Sequence, residues 1–264
     1  MKKGLIRAKM TASTQRVNYD LFAHLYDEPG RNYDTDPNLI NFLQQKSSIQ
    51  VRILDMGCGT GKQLAANYKK FPELQTIGLD LFREMLRQAQ KRCNEINWIQ
   101  GDNTNLPFRN DSFDYVTNQF SYHHIQNKLR FIAETYRILK PGGQFVITNL
   151  DPWSMAGWIV YQYFQASWER DLSDFLPADE IVFRMEQVGF SNIQVKRDHR
   201  KTEEKLSEFL DYASQRHRTS QLIAIQDHEY KAGLGKLKEH VVNFGREFQV
   251  SSEICLIRVI GDKL

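Results

Sequence analysis

Residues 53–61, ILDMGCGTG, set an acid, Asp55, and three glycines, Gly57, Gly59 and Gly61, at alternate positions behind an apolar run. A carboxylate ending a buried strand can receive hydrogen bonds from a ligand, and glycines bring backbone close to that ligand with no Cβ in the way. Cys58 lies inside this turn, where a small side chain fits, and a helical pattern opens at Lys62, whose unpaired N–H groups face the same place. A second acid, Asp80, ends the run QTIGLD about twenty residues beyond the turn, the separation at which a carboxylate accepts from both hydroxyls of a ribose. Asp102 ends a third run, INWIQGD. Leu81 follows Asp80, Asn103 and Thr104 follow Asp102, and Asn118 and Gln119 close a fourth run, SFDYVTNQF. Together these residue types can grip a nucleoside-bearing cofactor. Zinc or calcium ligand spacing is missing among them, so metal chemistry is not expected.

The elements that must position these residues follow from their spacing. Short β-prone runs alternate with helical patterns up to residue 150, where RILKPGGQFVITNL joins a helix end to a fifth strand. Such alternation demands a parallel sheet with right-handed crossovers and helices on both faces, so the acids gather at the carboxyl edge of the strands. Two further strands are expected at 190–200 and 247–261.

On these residues the chain resembles the class I S-adenosylmethionine-dependent methyltransferases, in the methyltransferase-11-like group of small-molecule enzymes that includes the ubiquinone/menaquinone type. Asp55, Gly57, Gly59 and Gly61 match the family's glycine motif, Asp80 its ribose acid, Asp102 its adenine-side acid, and Lys140 to Gly143 its helix-to-strand turn. The resemblance spans residues 19–150. It implies an α/β, Rossmann-like, seven-stranded and mostly parallel sheet with an antiparallel last strand. It also implies S-adenosyl-L-methionine as cofactor, held by Tyr19, Tyr26, Arg31, Asp55, Gly57, Cys58, Gly59, Gly61, Asp80, Leu81, Asp102, Asn103, Thr104, Asn118 and Gln119. Tyr19, Tyr26 and Arg31 match the family's lid pattern loosely, Arg31 being suited to the methionine carboxylate by its planar fork. Nicotinamide enzymes usually carry G-x-G-x-x-G instead.

The 264 residues suffice for one large α/β domain with an elaboration, and 41% hydrophobic with 25% charged residues is ordinary for a globular protein. A net charge of +3 is too mild to imply nucleic acid, and Cys58, Cys93 and Cys255 lack disulfide or metal spacing. No apolar run has the length of a signal peptide or a membrane span, so a cytoplasmic chain is expected, monomer or homodimer, with a small molecule as its partner. Within a single domain, 1–264, the divisions expected are lid helices at 19–47, a cofactor core at 48–151, and helical cap insertions at 152–176 and 201–246.

Substrate choice in such a chain resides in its insertions. DPWSMAGWIVYQYFQASWERD holds three of the chain's four tryptophans, a density that suits a pocket wall, and Trp158 and Tyr161 are its candidate substrate contacts. The second insertion offers Arg218, Ser220 and Glu229. Methyl transfer is carried mostly by positioning, worth roughly 7–11 kcal/mol. For a hydroxyl or carbon acid a general base would help, and His123, ahead of His124, is the candidate for catalysis and for substrate contact. The expected function is methyl transfer to a small, partly apolar or aromatic acceptor enclosed by the cap. A non-catalytic S-adenosylmethionine-binding protein and an RNA-modifying methyltransferase are the alternatives.

Overall fold

The computed structural model describes residues 17–27, 33–46 and 50–264. The five apolar runs become β1 (Arg52–Met56), β2 (Gln75–Asp80), β3 (Asn97–Gln100), β4 (Phe113–Gln119) and β5 (Leu139–Leu150). Around them stand α1 (Pro37–Gln44), α2 (Lys62–Lys70), α3 (Arg83–Arg92) and α4 (Lys128–Ile138). Beyond β5 come α5 (Ile159–Tyr163), α6 (Gln165–Asp174) and α7 (Ala178–Val188), then β6 (Ser191–Lys205). The chain continues through α8 (Leu206–Ala213), α9 (Ser220–Ala224) and α10 (Asp227–Phe244) to β7 (Gln249–Asp262).

The sheet order is β3-β2-β1-β4-β5-β7-β6, and β7 runs antiparallel to both β5 and β6 while the other pairings are parallel. The seven-stranded, mostly parallel Rossmann-like sheet is therefore as the sequence implies. Its order reverses between β1 and β4, which opens a crevice at the carboxyl ends of those strands. One sheet face is closed by a core that joins Leu54 and Val116 to Phe131 of α4 and Met185 of α7. The other face packs Ile53, Tyr115 and Val146 against Leu39 and Phe42 of α1 and Leu64 of α2. A third core, around Met155, Phe164, Phe209 and Leu237, belongs to the helices between β5 and β7.

Two segments differ from the sequence expectation. The region around Tyr19, Phe22, Leu25 and Tyr26 forms two single 3-10 turns, Tyr19–Leu21 and Ala23–Leu25, instead of an amphipathic helix. Asp20 explains this, because its carboxylate accepts the backbone N–H of Glu84 at the start of α3 and pins the turn there, with Leu21 and Leu25 left exposed among the described residues. The sixth strand also runs to Lys205, five residues into the segment expected to be helical. Its ladder with β7 continues from Lys201 opposite Glu253 to Lys205 opposite Gln249, and its charged residues hide the alternation that marks a strand. An edge strand so charged resists pairing with another chain.

Trp98 on β3 locks the glycine turn to the sheet. Its ring lies over Gly78 of β2 and Gly61 at the start of α2, and its indole N–H donates to the Cys93 carbonyl at 2.8 Å. A Cβ on Gly78 would stand 2.4 Å from that ring and 3.0 Å from Cys58 Sγ. Replacing Gly78 with Ala is expected to destabilise the protein by about 1–3 kcal/mol in urea unfolding. Adding Trp98→Leu to that variant restores part of the loss, a coupling that two independent sites would not give.

Candidate functional site

The carboxyl ends of β1, β2 and β4 open into a cleft of about 1000 Å³, its open mouth included. Ten residues singled out from the sequence line it together: Tyr19, Tyr26, Asp55, Gly57, Cys58, Gly59, Asp80, Leu81, Asn103 and Gln119. Gly57, Gly59 and Gly61 all have positive φ, between 54° and 75°, which favours glycine at each. A Cβ on Gly57 would fall 2.1 Å from Ser121 Oγ, whereas one on Gly59 would meet no atom of the described residues within 4 Å. Backbone at Gly59 is thus bare toward the cleft, as close approach by a ligand requires.

Among the described residues neither Asp55 nor Asp80 forms an ion pair. Asp55 is 3% exposed, and its Oδ1 is buried with no hydrogen-bond partner among the described residues. Burial, with the charges of Asp36 and Asp80 adding to it, pushes its carboxyl up to about 8. Asp80 is also raised by burial, against the pull of its bonds from backbone N–H groups, which include Phe82 at 2.9 Å and Gly59 at 2.8 Å. Asn103 adds a second buried, unpartnered oxygen to the wall. Orphaned acceptors beside bare glycine backbone are what a polar, partly cationic nucleoside ligand would satisfy.

Other expected cofactor contacts lie elsewhere. Asp102 bonds back to the N–H and the hydroxyl of Thr104, both at 2.8 Å, which closes the turn after β3 and keeps this pair out of the cleft lining. Asn118 is fully buried, and its amide donates to the Met56 carbonyl and to Ser121 Oγ, so it joins β1 to β4. Gly61 serves the Trp98 packing. Arg31 lies outside the described residues. Thr60, Lys62, Gln63, Phe82, Met85 and Ser121 line the cleft without having been singled out. Phe82 and Met85 were within reach of sequence reasoning, since they stand three apart at the start of a helix immediately after the ribose acid.

A second chamber, of about 1110 Å³ with its mouth, adjoins the cleft and shares Val17, His124 and Ile125 with it. At the junction the Tyr19 hydroxyl meets His124 Nε2 at 2.8 Å, near the Ser220 side chain. The remaining walls come from the segment after β4, with His123 and Lys128, and from the cap, with Arg170, Asp171 and Asp174.

His123 lines this chamber and not the cleft, and its chemistry differs from the base expected. The Asn149 side-chain oxygen accepts the Leu150 N–H, which turns the amide NH₂ toward His123 Nδ1 at 3.3 Å. A donor on Nδ1 leaves the ring proton on Nε2, which is buried without a partner among the described residues, so the ring offers a hydrogen-bond donor in place of a base. Burial and the nearby His124 and Lys128 hold it well below the usual histidine range, and Phe175 stacks on it at 4.2 Å.

Of the cap residues expected to touch substrate, Ser220 lines the chamber, while Trp158, Tyr161, Arg218 and Glu229 lie outside the linings of cleft and chamber. Trp158 packs edge-on to the Tyr161 ring at 4.9 Å, Arg218 stands over the Tyr212 ring at 5.4 Å, and Glu229 closes the start of α10 by accepting the Gln226 N–H. Tyr161 is buried and donates to Asp171 at 2.6 Å. Rings of the aromatic insertion, Tyr161 and Phe164 among them, therefore help fill the cap's own core, where they pack with Leu206 and Phe209 of α8, Leu222 of α9 and Leu237 of α10. Among the described residues no group of His, Cys, Asp and Glu could hold a metal ion, and no helix is long and apolar enough to cross a membrane.

The family described as a methyltransferase domain matches residues 54–147, the stretch that builds this cleft. A solved Anabaena variabilis protein described as a methyltransferase of antibiotic biosynthesis superposes with a TM-score of 0.67, at 22% identity over 84% of this chain and 94% of that one. The biotin biosynthesis bifunctional protein BioHC of Teredinibacter turnerae is 28% identical over 67% of this chain, which spans 34% of that longer protein. The demethylmenaquinone methyltransferase of Thermotoga maritima is 30% identical over 53% of this chain and 69% of its own length. A relative matched over most of its length, on a fold whose glycine turn and acids meet at one sheet edge, settles the family: the chain belongs to the class I S-adenosylmethionine-dependent methyltransferases.

Proposed function

We propose that this methyltransferase acts on a small, partly aromatic acceptor of the quinone type, which reaches the transferable methyl from the chamber between core and cap. The observation that carries the reading is the adjacency of two cavities, one lined by the glycine turn and Asp80, the other by cap residues, with Tyr19 and His124 at their junction. The Thermotoga maritima relative, by name a demethylmenaquinone methyltransferase, supports the choice of acceptor class.

When bound, S-adenosyl-L-methionine supplies an electrophilic methyl carbon and departs as a neutral thioether. In this reading Asp80 receives the ribose hydroxyls, Asn103 faces the adenine, and the Asp55 carboxylate answers the cofactor's positive charge. Phe82 and Met85 give the apolar wall beside the base. Tyr19 and His124 hold the boundary across which cofactor and acceptor meet, so the chain's contribution is alignment and exclusion of water.

Two measurements test this. Asp80→Ala is expected to weaken S-adenosylhomocysteine binding about 10- to 100-fold by calorimetry, the loss of charged hydrogen bonds worth roughly 1.5–3 kcal/mol; unchanged affinity would overturn the cofactor assignment. Asp55 titrates at about 8 when folded and near 3.9 when unfolded, so the unfolded state gives up its proton first as pH rises. Cofactor-free stability therefore falls between about pH 4 and pH 8. Asp55→Asn is expected to raise the melting temperature of the cofactor-free protein more at pH 8 than at pH 5, and an equal effect at both would contradict it.

A further inference from the structure

Asp171 is a carboxylate that cofactor binding leaves without a task. It sits on α6, is 4% exposed, and lines the chamber. Its Oδ2 accepts from the Tyr161 hydroxyl at 2.6 Å and from the Gln221 amide at 3.1 Å, two neutral donors from α5 and α9. The cations on the chamber wall are turned to other partners: Arg170 bonds to Asp174 at 2.7 Å, and Lys128 Nζ to the Ile125 carbonyl at 2.9 Å. His123 lines the same chamber, and its buried Nε2 has no hydrogen-bond partner among the described residues. One buried donor and one buried acid, both lining a cavity beside the cofactor cleft, match a ligand oxygen that carries a removable proton.

We propose that the chamber takes an acceptor ring bearing an ionisable hydroxyl, with His123 Nε2–H donating to the acceptor and Asp171 acting as general base on the hydroxyl. This rests on the reading of the chamber as the acceptor site. The hydroxyl proton passes to the Asp171 carboxylate, and the electron pair it leaves is delivered through the conjugated ring carbon to the methyl carbon. The sulfur–methyl bond breaks with its pair on sulfur. The ring carbon then releases its own hydrogen as a proton to water, the oxygen recovers a proton from Asp171, and the ring is again aromatic. Overall one methyl is gained, one ring hydrogen is lost as a proton, and no oxidant is needed.

The electrostatic setting suits the role. Burial raises the Asp171 carboxyl to about 7, Asp174 adds to the rise, and the bonds from Tyr161 and Gln221, with Arg170, oppose it. Lys128, His123 and His124 face the chamber from the segment after β4, and Tyr19 senses the Asp171 charge from the 3-10 turn. A base must be ionised to act, so turnover should rise with pH through about 7.

The test uses the full chain, S-adenosylmethionine and anaerobic 1,4-dihydroxynaphthalene as the probe. Asp171→Asn is expected to lower kcat about 100-fold or more, with S-adenosylhomocysteine affinity and melting temperature close to wild type. Tyr161→Phe keeps the carboxylate but removes a bond that favours its charged form, so the rising limb of the pH profile is expected to move to higher pH. This variant serves also if Asp171→Asn fails to fold. A kcat within threefold of wild type for Asp171→Asn, or an unmoved limb for Tyr161→Phe, overturns the base while leaving the acceptor chamber standing. If wild type neither methylates the probe nor binds it, read by tryptophan quenching in the S-adenosylhomocysteine complex, the hydroxylated-ring class is overturned and the cofactor site is untouched.

Discussion

The structure depends on the burial of two acids at one sheet edge, neither of them in an ion pair among the described residues. Asp55 and Asp80 end adjacent strands, both are buried, and Asp36 lies close enough to raise Asp55 further. Desolvating a carboxylate is costly, and a fold that keeps two together stores a demand for a compensating ligand. In the function proposed above, the cofactor of this family, a sulfonium with an ammonium and a sugar, meets that demand with positive charge and hydroxyl donors. The same burial costs the cofactor-free protein stability, so ligand binding and folding are coupled.

Around that edge the fold spends its packing on holding backbone still. Trp98 fills the space left by Gly61 and Gly78, Asn118 ties β4 to β1, and the Asp102–Thr104 bonds close the turn after β3. Several of these residues occur in the family's motifs without facing the cleft. A motif position can therefore act by fixing a neighbour: Asn118 restrains Ser121, whose hydroxyl and Cβ occupy the space a side chain at residue 57 would need.

The cap divides its residues differently from what composition suggests. Its rings at Tyr161, Phe164 and Phe209 turn inward into a separate apolar core, whereas its polar residues, Arg170, Asp171, Asp174 and Ser220, line the chamber. Helices that must stay folded at the end of a sheet need their own apolar contacts, so the aromatic side chains are consumed there. What remains for the chamber is polar, with Tyr19 and His124 as the boundary it shares with the cleft.

Strand period and glycine spacing determined the sheet and the glycine turn in advance: QTIGLD is β2 residue for residue, and α2 begins at Lys62 as its pattern requires. Local signals suffice there because side-chain alternation and positive-φ turns act over a few residues. Three things were decided only by tertiary structure. The turns around Tyr19 are set by Asp20 reaching α3, the proton on His123 by Asn149 on another strand, and the exposure of Asp171 to a chamber by two helices of the cap. Each depends on a partner distant in sequence, and neither periodicity nor composition encodes which distant side chain will supply a hydrogen bond.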